Sequence, residues 1–147
     1  MRLSAKTRYA LAAMLVMAGD EDARTPCTAG RLSAALQLST GYLEQVLLCL
    51  RRGRLIEASR GSQGGYRLQR PPEQITVLDI LLVMEPSAFA PTADTTPESA
   101  PGLDRAAAEL VYAPLDTAVQ QALAGISLAA LRDETAQRSM TGYMYYL

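Results

Sequence analysis

Histidine is missing from the whole chain of 147 residues, and cysteine occurs only at Cys27 and Cys49. Most hydrolytic triads, most zinc sites and the usual haem ligation need histidine, so the sequence predicts neither an enzyme nor a metal site. No apolar stretch approaches the roughly 18 uninterrupted residues of a membrane span, and no small-residue cleavage site follows the N-terminal apolar run. We therefore expect a cytoplasmic protein without a membrane partner.

The net charge of −1 conceals a strong asymmetry between the two halves of the chain. Residues 1–70 carry 11 Lys and Arg against 5 Asp and Glu, whereas residues 71–147 carry 3 against 10. Because attraction to phosphate depends on local rather than total charge, a basic front half suits a nucleic-acid-binding module. The alternative is a chance clustering of charge on a solvated surface.

The front half shows the apolar periodicity of three helices. The first spans residues 4–17, the second runs from about 28 to 36, and the third begins with Ser39 or Thr40 as its N-cap. Gly53 is predicted to end the third helix in a left-handed conformation. Two short helices joined by a tight turn predict a helix-turn-helix. The apolar stripe of the third helix comprises Leu43, Val46, Leu47 and Leu50.

A glycine-rich turn follows the helix-turn-helix. Two β-prone runs, residues 55–60 and 66–68, flank the segment GSQGG, and glycine permits the positive φ and close approach of a hairpin tip. The next segment, ITVLDILLVMEP, matches a helix opened by a capping signature at Thr76 and Asp79 and stopped by Pro86. Helix, helix-turn-helix, hairpin and helix follow one another in the order of a winged helix.

The second half reads as a linker followed by helices. Residues 86–102 are rich in Pro, Ser, Thr and Ala, which is typical of a flexible loop. A long apolar helix is predicted over residues 103–123, kinked or restarted at Pro114, and a short helix, SLAALRDE, is capped by Ser127. The long helix has too little of its own domain around it to bury its stripe, so we expect it to pack against a second copy.

The fold class is thus mainly α with a small β-hairpin wing, a winged helix-turn-helix plus a long dimerisation helix. Four parts are predicted. Residues 1–85 form the DNA-binding domain, 86–102 a linker loop, 103–136 the dimerisation helix with the short helix, and 137–147 a partner-binding tail.

In a winged helix the recognition helix enters the major groove, while the hairpin tip reaches the minor groove or the backbone. A winged helix used only for protein contacts is the alternative. Candidate DNA contacts on the recognition helix are Ser39, Thr40, Tyr42 and Gln45, with Arg51 and Arg52 at its far end near the backbone. Candidate donors on the wing are Arg60, Ser62, Gln63 and Arg67.

Three segments, MRLSAKTRYAL, LSTGYLEQVLLCLRRGRLIEASRGSQGGYRL and ITVLDIL, resemble the Rrf-type winged-helix transcriptional regulators. The resemblance covers roughly residues 1–85 and, more weakly, SLAAL near the end. It implies a homodimeric transcriptional regulator, usually a repressor, that binds double-stranded DNA. Glu44 could accept a hydrogen bond from cytosine N4 or pair with Arg51 or Arg52. By position the resemblance assigns Tyr42, Glu44 and Gln45 to the recognition helix and Arg60, Gly61, Gly65 and Tyr66 to the wing.

Many members of this family carry an iron–sulfur cluster held by three cysteines in the loop before the dimerisation helix. Residues 86–102 contain no cysteine, and two thiols with no histidine cannot supply the ligand set within one chain. We therefore expect no cofactor. Cys27 lies in a predicted loop and is either a redox-sensitive thiol or a partly exposed thiol without a role.

The last seven residues, TGYMYYL, are unusually apolar for a chain end. They resemble the ending of the cluster-free branch of the family that represses cysteine-metabolism genes. That ending is in turn similar to the peptide by which serine acetyltransferase enters the active site of cysteine synthase (O-acetylserine sulfhydrylase). Leu147 stands where isoleucine is usual. The implied partner-binding residues are Tyr143, Met144, Tyr145, Tyr146 and Leu147, and the alternative is a tail folded back on the dimer core.

The sequence and the resemblance together predict a repressor of cysteine or sulfur metabolism genes that a partner enzyme controls. Two alternatives stay open. One is an adaptor that regulates cysteine synthase through its tail without binding DNA, and the other is an iron–sulfur or redox sensor with the same fold.

Overall fold

The computed structural model describes residues 3–19, 25–61, 64–90 and 105–144, with side chains as far as residue 139. Helices dominate, and none of those in these ranges is long and apolar enough to cross a membrane. The helices are α1 (Ala5–Ala18), α2 (Ala29–Leu36), α3 (Thr40–Arg52), α4 (Val77–Met84), α5 (Ala113–Ala124) and α6 (Leu128–Met144). The two strands, β1 (Ile56–Ser59) and β2 (Gly65–Leu68), form an antiparallel hairpin, and short 3₁₀ turns occupy Pro72–Gln74 and Pro86–Phe89.

Helix α1 lies at the centre of the core. It begins where the Ser4 hydroxyl accepts a hydrogen bond from the Thr7 N–H, 3.2 Å away, and it ends at Gly19. Small residues on its inner face, Ala10 and Ala13, let other helices approach closely, and Met14 fills the space between them. As a result α1 contacts α2, α3, α4 and α6.

Helices α2 and α3 form the predicted helix-turn-helix. Ser39 rather than Thr40 is the N-cap of α3, since its Oγ accepts the Tyr42 N–H at 3.4 Å. The turn between the helices passes through Gln37, whose φ of 52° is left-handed. The predicted apolar stripe of α3 is buried, which confirms the helical periodicity read from the sequence.

The conformation predicted for Gly53 was wrong. Its φ is −75°, and the left-handed residue of this turn is its neighbour Arg54, with a φ of 56°. Gly53 is needed for a different reason, because a Cβ there would overlap the side chain of Val83 on α4. The glycine thus marks the close approach of two elements instead of a left-handed helix stop.

The wing is a short hairpin with its tip between Ser59 and Gly65. Ile56 pairs with Leu68 at its base, and both side chains are buried in the core. At the tip Gly61 has a φ of 111°, a conformation that suits glycine. Beside β2, Cys27 forms an isolated β-bridge with Tyr66, in which the two residues exchange backbone hydrogen bonds of 2.7 and 2.9 Å.

Helix α4 opens with the predicted capping box, since Thr76 and Asp79 each bond the other's backbone N–H. At its far end Glu85 accepts hydrogen bonds from the Ser4 N–H at 2.9 Å and the Thr7 hydroxyl at 2.7 Å. The side chains of Ser4 and Thr7, together with the backbone N–H of Ser4, lower the pKa of Glu85 from 4.5 to about 2. This carboxylate therefore links the start of α1 to the end of α4.

Helix α5 is preceded by a π-helical turn, Ala108–Tyr112, in which Ala113 donates to the Ala108 carbonyl. The turn directly precedes Pro114, which lacks an N–H and cannot join a regular α-helical ladder. The sequence predicted a kink or a restart here, and the π turn is the form that the irregularity takes. Leu103, the first residue of the predicted helix, lies outside the described residues.

Helix α6 is longer than the short helix predicted from SLAALRDE. Ser127 caps it as predicted, accepting the Ala130 N–H at 3.1 Å, but the helix continues to Met144. Its first turn belongs to the core of the winged helix, because Leu128 is fully buried and its N–H bonds the Ile75 carbonyl at 2.7 Å. The side chains of residues 140–144 lie outside the described part of the structure.

Candidate nucleic-acid interface

Helix α3 turns a polar face away from the core. Its buried stripe fixes the rotation of the helix, so residues at the complementary helical positions are exposed. This outer face comprises Thr40, Glu44, Gln45, Leu48, Arg51 and Arg52. Five of these six residues carry polar or charged side chains, as a surface that reads base edges and phosphates requires.

Glu44 and Gln45 lie side by side on this outer face, as the sequence indicated. Within the described residues no ion pair joins Glu44 to Arg51 or Arg52, so its carboxylate is available to an external donor. The intrahelical pairing considered for Glu44 is therefore not present in the structure.

Tyr42 and Ser39 are positioned differently from the outer face. Tyr42 is half-buried on the flank of α3, where its ring meets that of Tyr9 edge to face at 5.9 Å. The contact fixes α3 against α1, so Tyr42 is partly a packing residue. Ser39 is exposed and its Oγ accepts the helix N-cap hydrogen bond, which leaves its hydroxyl proton available to a ligand.

Leu48 was not singled out by the sequence analysis, because it falls within an apolar run and reads as core. The structure instead places it on the outer face, one helical turn from Glu44, with 43% of its surface exposed. An apolar side chain on a major-groove helix can contact the methyl group of thymine. The signal that could have found it is its position opposite the stripe that Leu43 and Leu47 define.

The predicted wing residues lie at the tip of the hairpin and on its second strand. Arg60 and Gly61 are exposed at the tip, and Ser62 and Gln63 lie outside the described residues. Gly65 and Tyr66 begin the second strand, where they pair with Ser59 and Ala58. A Cβ on Gly65 would stand 2.6 Å from the Cys27 carbonyl oxygen, and the half-buried Tyr66 packs on the core.

The charges of the wing are partly paired within the hairpin. Glu57 and Arg67 lie opposite each other across the strands, with the Arg67 Nε 2.6 Å from the Glu57 Oε1. The predicted donor Arg67 therefore already has an internal partner. Arg60 has no such partner in the described part of the chain and extends the basic surface of α3.

One cleft connects the helix to the wing. It has a volume of about 530 Å³ and lies between the end of α3 and β1. The predicted residues Arg51 and Arg60 both line it, together with Arg54, which the sequence analysis did not select. Three guanidinium groups thus surround one concave surface beside the outer face of α3.

Comparison with known proteins agrees with this arrangement. The profile of the Rrf2 family, described as "Iron-dependent Transcriptional regulator", matches residues 3–134. The chain belongs to the Rrf2 family. Its relatives are transcriptional regulators and not enzymes, and the resemblance noted in the sequence is confirmed.

Two relatives illustrate the range of the similarity. The regulator IscR of Sodalis glossinidius is 34% identical over 131 residues, which span 89% of this chain and 78% of the relative. IscR of Cereibacter sphaeroides is 38% identical over 91 residues, or 61% of this chain. That match spans only 59% of the C. sphaeroides protein, little more than half its length.

Solved structures show the same Rrf2 architecture. CymR (YrzC), the global cysteine regulator of B. subtilis, superimposes with a TM-score of 0.73 at 28% identity and covers 91% of this chain and 98% of its own. IscR of T. potens gives 0.72 at 29% identity, covering 99% and 97%. The predicted fold class, a mainly helical winged helix with a hairpin wing, is therefore confirmed.

The donors needed for an Rrf2 iron centre do not fit this chain. In the described ranges no three His, Cys, Asp or Glu side chains could hold a metal ion together. Cys27 is 1% exposed in its bridge to Tyr66, and the Cys49 sulfur accepts a hydrogen bond from the Lys6 ammonium at 3.1 Å. Two thiols on separate elements cannot supply the three thiolates of one cluster.

The burial of Cys27 also corrects the picture of an exposed loop thiol. A redox-sensitive thiol must be reached by its oxidant, and this side chain is enclosed by the core. The structure therefore gives no support to a redox role in this conformation.

The candidate tail lies mostly beyond the described residues. Tyr143 and Met144 form the last turn of α6 by their backbone, and Tyr145, Tyr146 and Leu147 fall outside the structure's described part. In the unbound chain, the first two predicted partner-binding residues are therefore helical and not extended.

Proposed function

We propose that this Rrf2 regulator is a homodimeric repressor that acts in the cytoplasm and places α3 in the major groove of duplex DNA. The observation that carries the proposal is the polar outer face of α3 beside the arginines of the wing. A front half with a net charge of +6 supplies the attraction to phosphate. Helix α3 then reads bases, and the wing with Arg60 reaches the adjacent minor groove or its backbone.

Each outer-face residue has a distinct chemical role in this proposal. The Gln45 amide can bond the N6 and N7 atoms of adenine together, and the Glu44 carboxylate can accept from cytosine N4. Ser39 and Thr40, at the start of the helix, contribute hydroxyls to bases or phosphates. Arg60 is suited to the negative potential of a narrow A/T-rich groove.

Equilibrium binding to operator DNA tests this assignment. The DNA is first recovered from cells by crosslinking and then titrated at several salt concentrations. Arg60→Ala should weaken binding, and Gln45→Ala should relax base preference at one position by about 1–3 kcal/mol. Arg138→Ala, on α6, is the control for loss of one charge. Equal binding of the wild type and Arg60→Ala would refute the role of the wing.

Dimerisation is proposed from helix α5. Its apolar residues are only partly covered within one protomer, since α5 contacts α4 but neither α5 nor the π turn contains a buried residue. A second copy related by a two-fold axis would cover them and place two recognition helices about one DNA turn, roughly 34 Å, apart.

We propose cysteine or sulfur metabolism genes as the targets. Support comes from the similarity to CymR, the global cysteine regulator of B. subtilis, and from a cysteine content that does not fit a cluster. The ending TGYMYYL adds a route to a partner, cysteine synthase. In this scheme the free C-terminal carboxylate is captured by backbone amides of the enzyme, and Leu147 enters a pocket.

The helical start of the tail adds a step to that scheme. The last turn of α6 contains Gly142, and glycine weakens a helix interior, so this turn can unwind at small cost to free Tyr143 and Met144. Because the captured carboxylate occupies the place of the substrate carboxylate, O-acetylserine should compete with the tail. The repressor would then sense precursor supply through its partner.

Deletion of residues 143–147 separates the tail hypotheses. Loss of binding to cysteine synthase with an unchanged dimer supports the ligand role. A weaker dimer with unchanged enzyme binding supports a tail folded on the dimer core. A mobility-shift assay on the full-length chain distinguishes a repressor from an adaptor, because only the repressor retards operator DNA.

A further inference from the structure

The cleft between α3 and the wing contains more positive charge than its surroundings neutralise. Arg51, Arg54 and Arg60 line it, and Glu57 is the only acidic residue in its lining. The Glu57 carboxylate is already paired with the Arg67 guanidinium, on the neighbouring strand, at 2.6 Å. Within the described residues none of the three cleft arginines has a side-chain partner.

Three unpaired guanidinium groups around one concave surface favour an anion. Each group presents several N–H donors in a planar fork that matches phosphate oxygens, and their mutual repulsion falls when an anion lies between them. Gln69 adds a neutral donor to the same lining. The lining is therefore chemically suited to a phosphate group.

The backbone conformation of Arg54 is a second observation at this cleft. Its φ of 56° lies in the left-handed region, where a residue with a Cβ is strained and glycine is not. The turn is closed by a hydrogen bond of 3.0 Å from the Leu55 N–H to the Leu50 carbonyl, whereas the Arg54 side chain itself is exposed and gains no core packing. Gly53, directly before it, cannot exchange places with it, because a Cβ at that position would overlap Val83. The side chain of Arg54 is thus held beside the cleft by a turn that glycine would form more easily.

We propose that Arg51, Arg54 and Arg60 form a phosphate clamp for the DNA backbone between the groove that α3 reads and the groove that the wing reaches. The proposal rests on the proposed DNA-binding function. A strand of the duplex separates two neighbouring grooves, and the cleft separates the end of α3 from the wing in the same way. Clamping that strand fixes the register of the helix without reading sequence.

Arg54→Gly tests the clamp, because it removes the charge and relieves the strained backbone together. The variant should melt at the same temperature as the wild type or higher. It should bind operator DNA about tenfold more weakly at 0.15 M salt, with a salt slope smaller by about 0.9 per protomer. Arg54→Gln removes the charge without altering the turn and should show the same loss of slope.

Two matched controls isolate the cause. Gln37→Gly relieves the second left-handed non-glycine residue of the described ranges, at a φ of 52°, without changing charge, and should leave the salt slope unchanged. Arg138→Gln removes one exposed charge from α6 and should also leave it unchanged.

The outcomes distinguish this proposal from the one it rests on. A wild type that does not bind duplex DNA would overturn both. A wild type that binds, beside Arg54 variants with unchanged affinity and slope, would overturn the clamp alone. In a further outcome, millimolar pyrophosphate raises the melting temperature of the wild type but not of Arg54→Gln, while both proteins bind DNA equally. The cleft then binds a free phosphate, and its assignment to the DNA backbone is wrong.

Discussion

The winged-helix core and helix α5 use apolar residues in opposite ways. In the core Met14, Leu47 and Ile80 are enclosed almost completely. On the π turn and α5, Leu110 is 78% exposed and Leu115 57% exposed, although apolar residues recur at helical spacing there too. The winged-helix core thus buries its apolar side chains within one protomer, whereas the π turn and α5 leave large apolar side chains exposed.

This difference teaches that a helical apolar pattern predicts a buried face but not the molecule that covers it. In α1 and α3 the cover comes from the same chain, because the helix-turn-helix and α4 surround them. For α5 the same protomer offers α4, whose own Leu82 stays exposed at 43%. Exposed apolar side chains in contiguous turns are typical of an interface, so the contrast supports the proposed dimer.

The largest expected effect comes from a charge in the uncovered face. Leu110→Asp should weaken dimerisation by at least about 4 kcal/mol, since the two-fold axis introduces two unpaired carboxylates into an apolar interface. Sedimentation equilibrium measures the change. Ala34→Asp, on the exposed side of α2, is the control and should leave the dimer intact. An unchanged dimer for Leu110→Asp would place the interface elsewhere.

A pair of alanine substitutions should sharpen the contrast. Leu50→Ala, in the core, should lower the free energy of unfolding by about 2–5 kcal/mol, because it leaves a cavity among close-packed neighbours. Leu115→Ala should change the unfolding of the monomer by less than about 0.5 kcal/mol. Urea denaturation of a monomeric Leu110→Asp background compares them directly. Equal losses would show that α5 is buried within the protomer.

Local signals in the sequence predicted much of the fold. Ser39 and the pair Thr76 and Asp79 announce helix starts through hydrogen bonds that span three residues, so spacing alone reveals them. The hairpin follows from a glycine cluster between β-prone runs; β1 lies within its predicted segment and β2 begins one residue before its own. These elements depend only on nearby residues, which explains why the sequence could predict them.

Features that depend on distant residues were missed or misread. The need for glycine at position 53 arises from Val83 on another helix, and the burial of Cys27 arises from its bridge to Tyr66. The end of α6 carries no stop signal at Glu134, so its extension could not be read from caps.

The candidate site shows the same division. Gln45 was selected from its place on the predicted recognition helix and Glu44 from the family resemblance, and the buried stripe of α3 leaves both side chains exposed. The cleft that brings Arg51, Arg54 and Arg60 together depends on how the wing folds back beside α3. No spacing in the sequence reveals that approach, and so Arg54 was overlooked.

The smallest expected effect concerns Glu85, which directly follows the last residue of α4. Its pKa is lowered from 4.5 to about 2 by hydrogen bonds from Ser4 and Thr7, so its ionised form is bound more tightly in the folded state. The stability that it contributes is fully present above pH 4.5 and is lost as the pH falls toward 2. Glu85→Gln should therefore melt slightly below the wild type at pH 7, and the gap should close between about pH 4.5 and pH 2. Melting temperatures measured across that range, with Glu44→Gln as an exposed control, test this. A gap that stays constant with pH would mean that the two helices are joined by packing and not by the charge of this carboxylate.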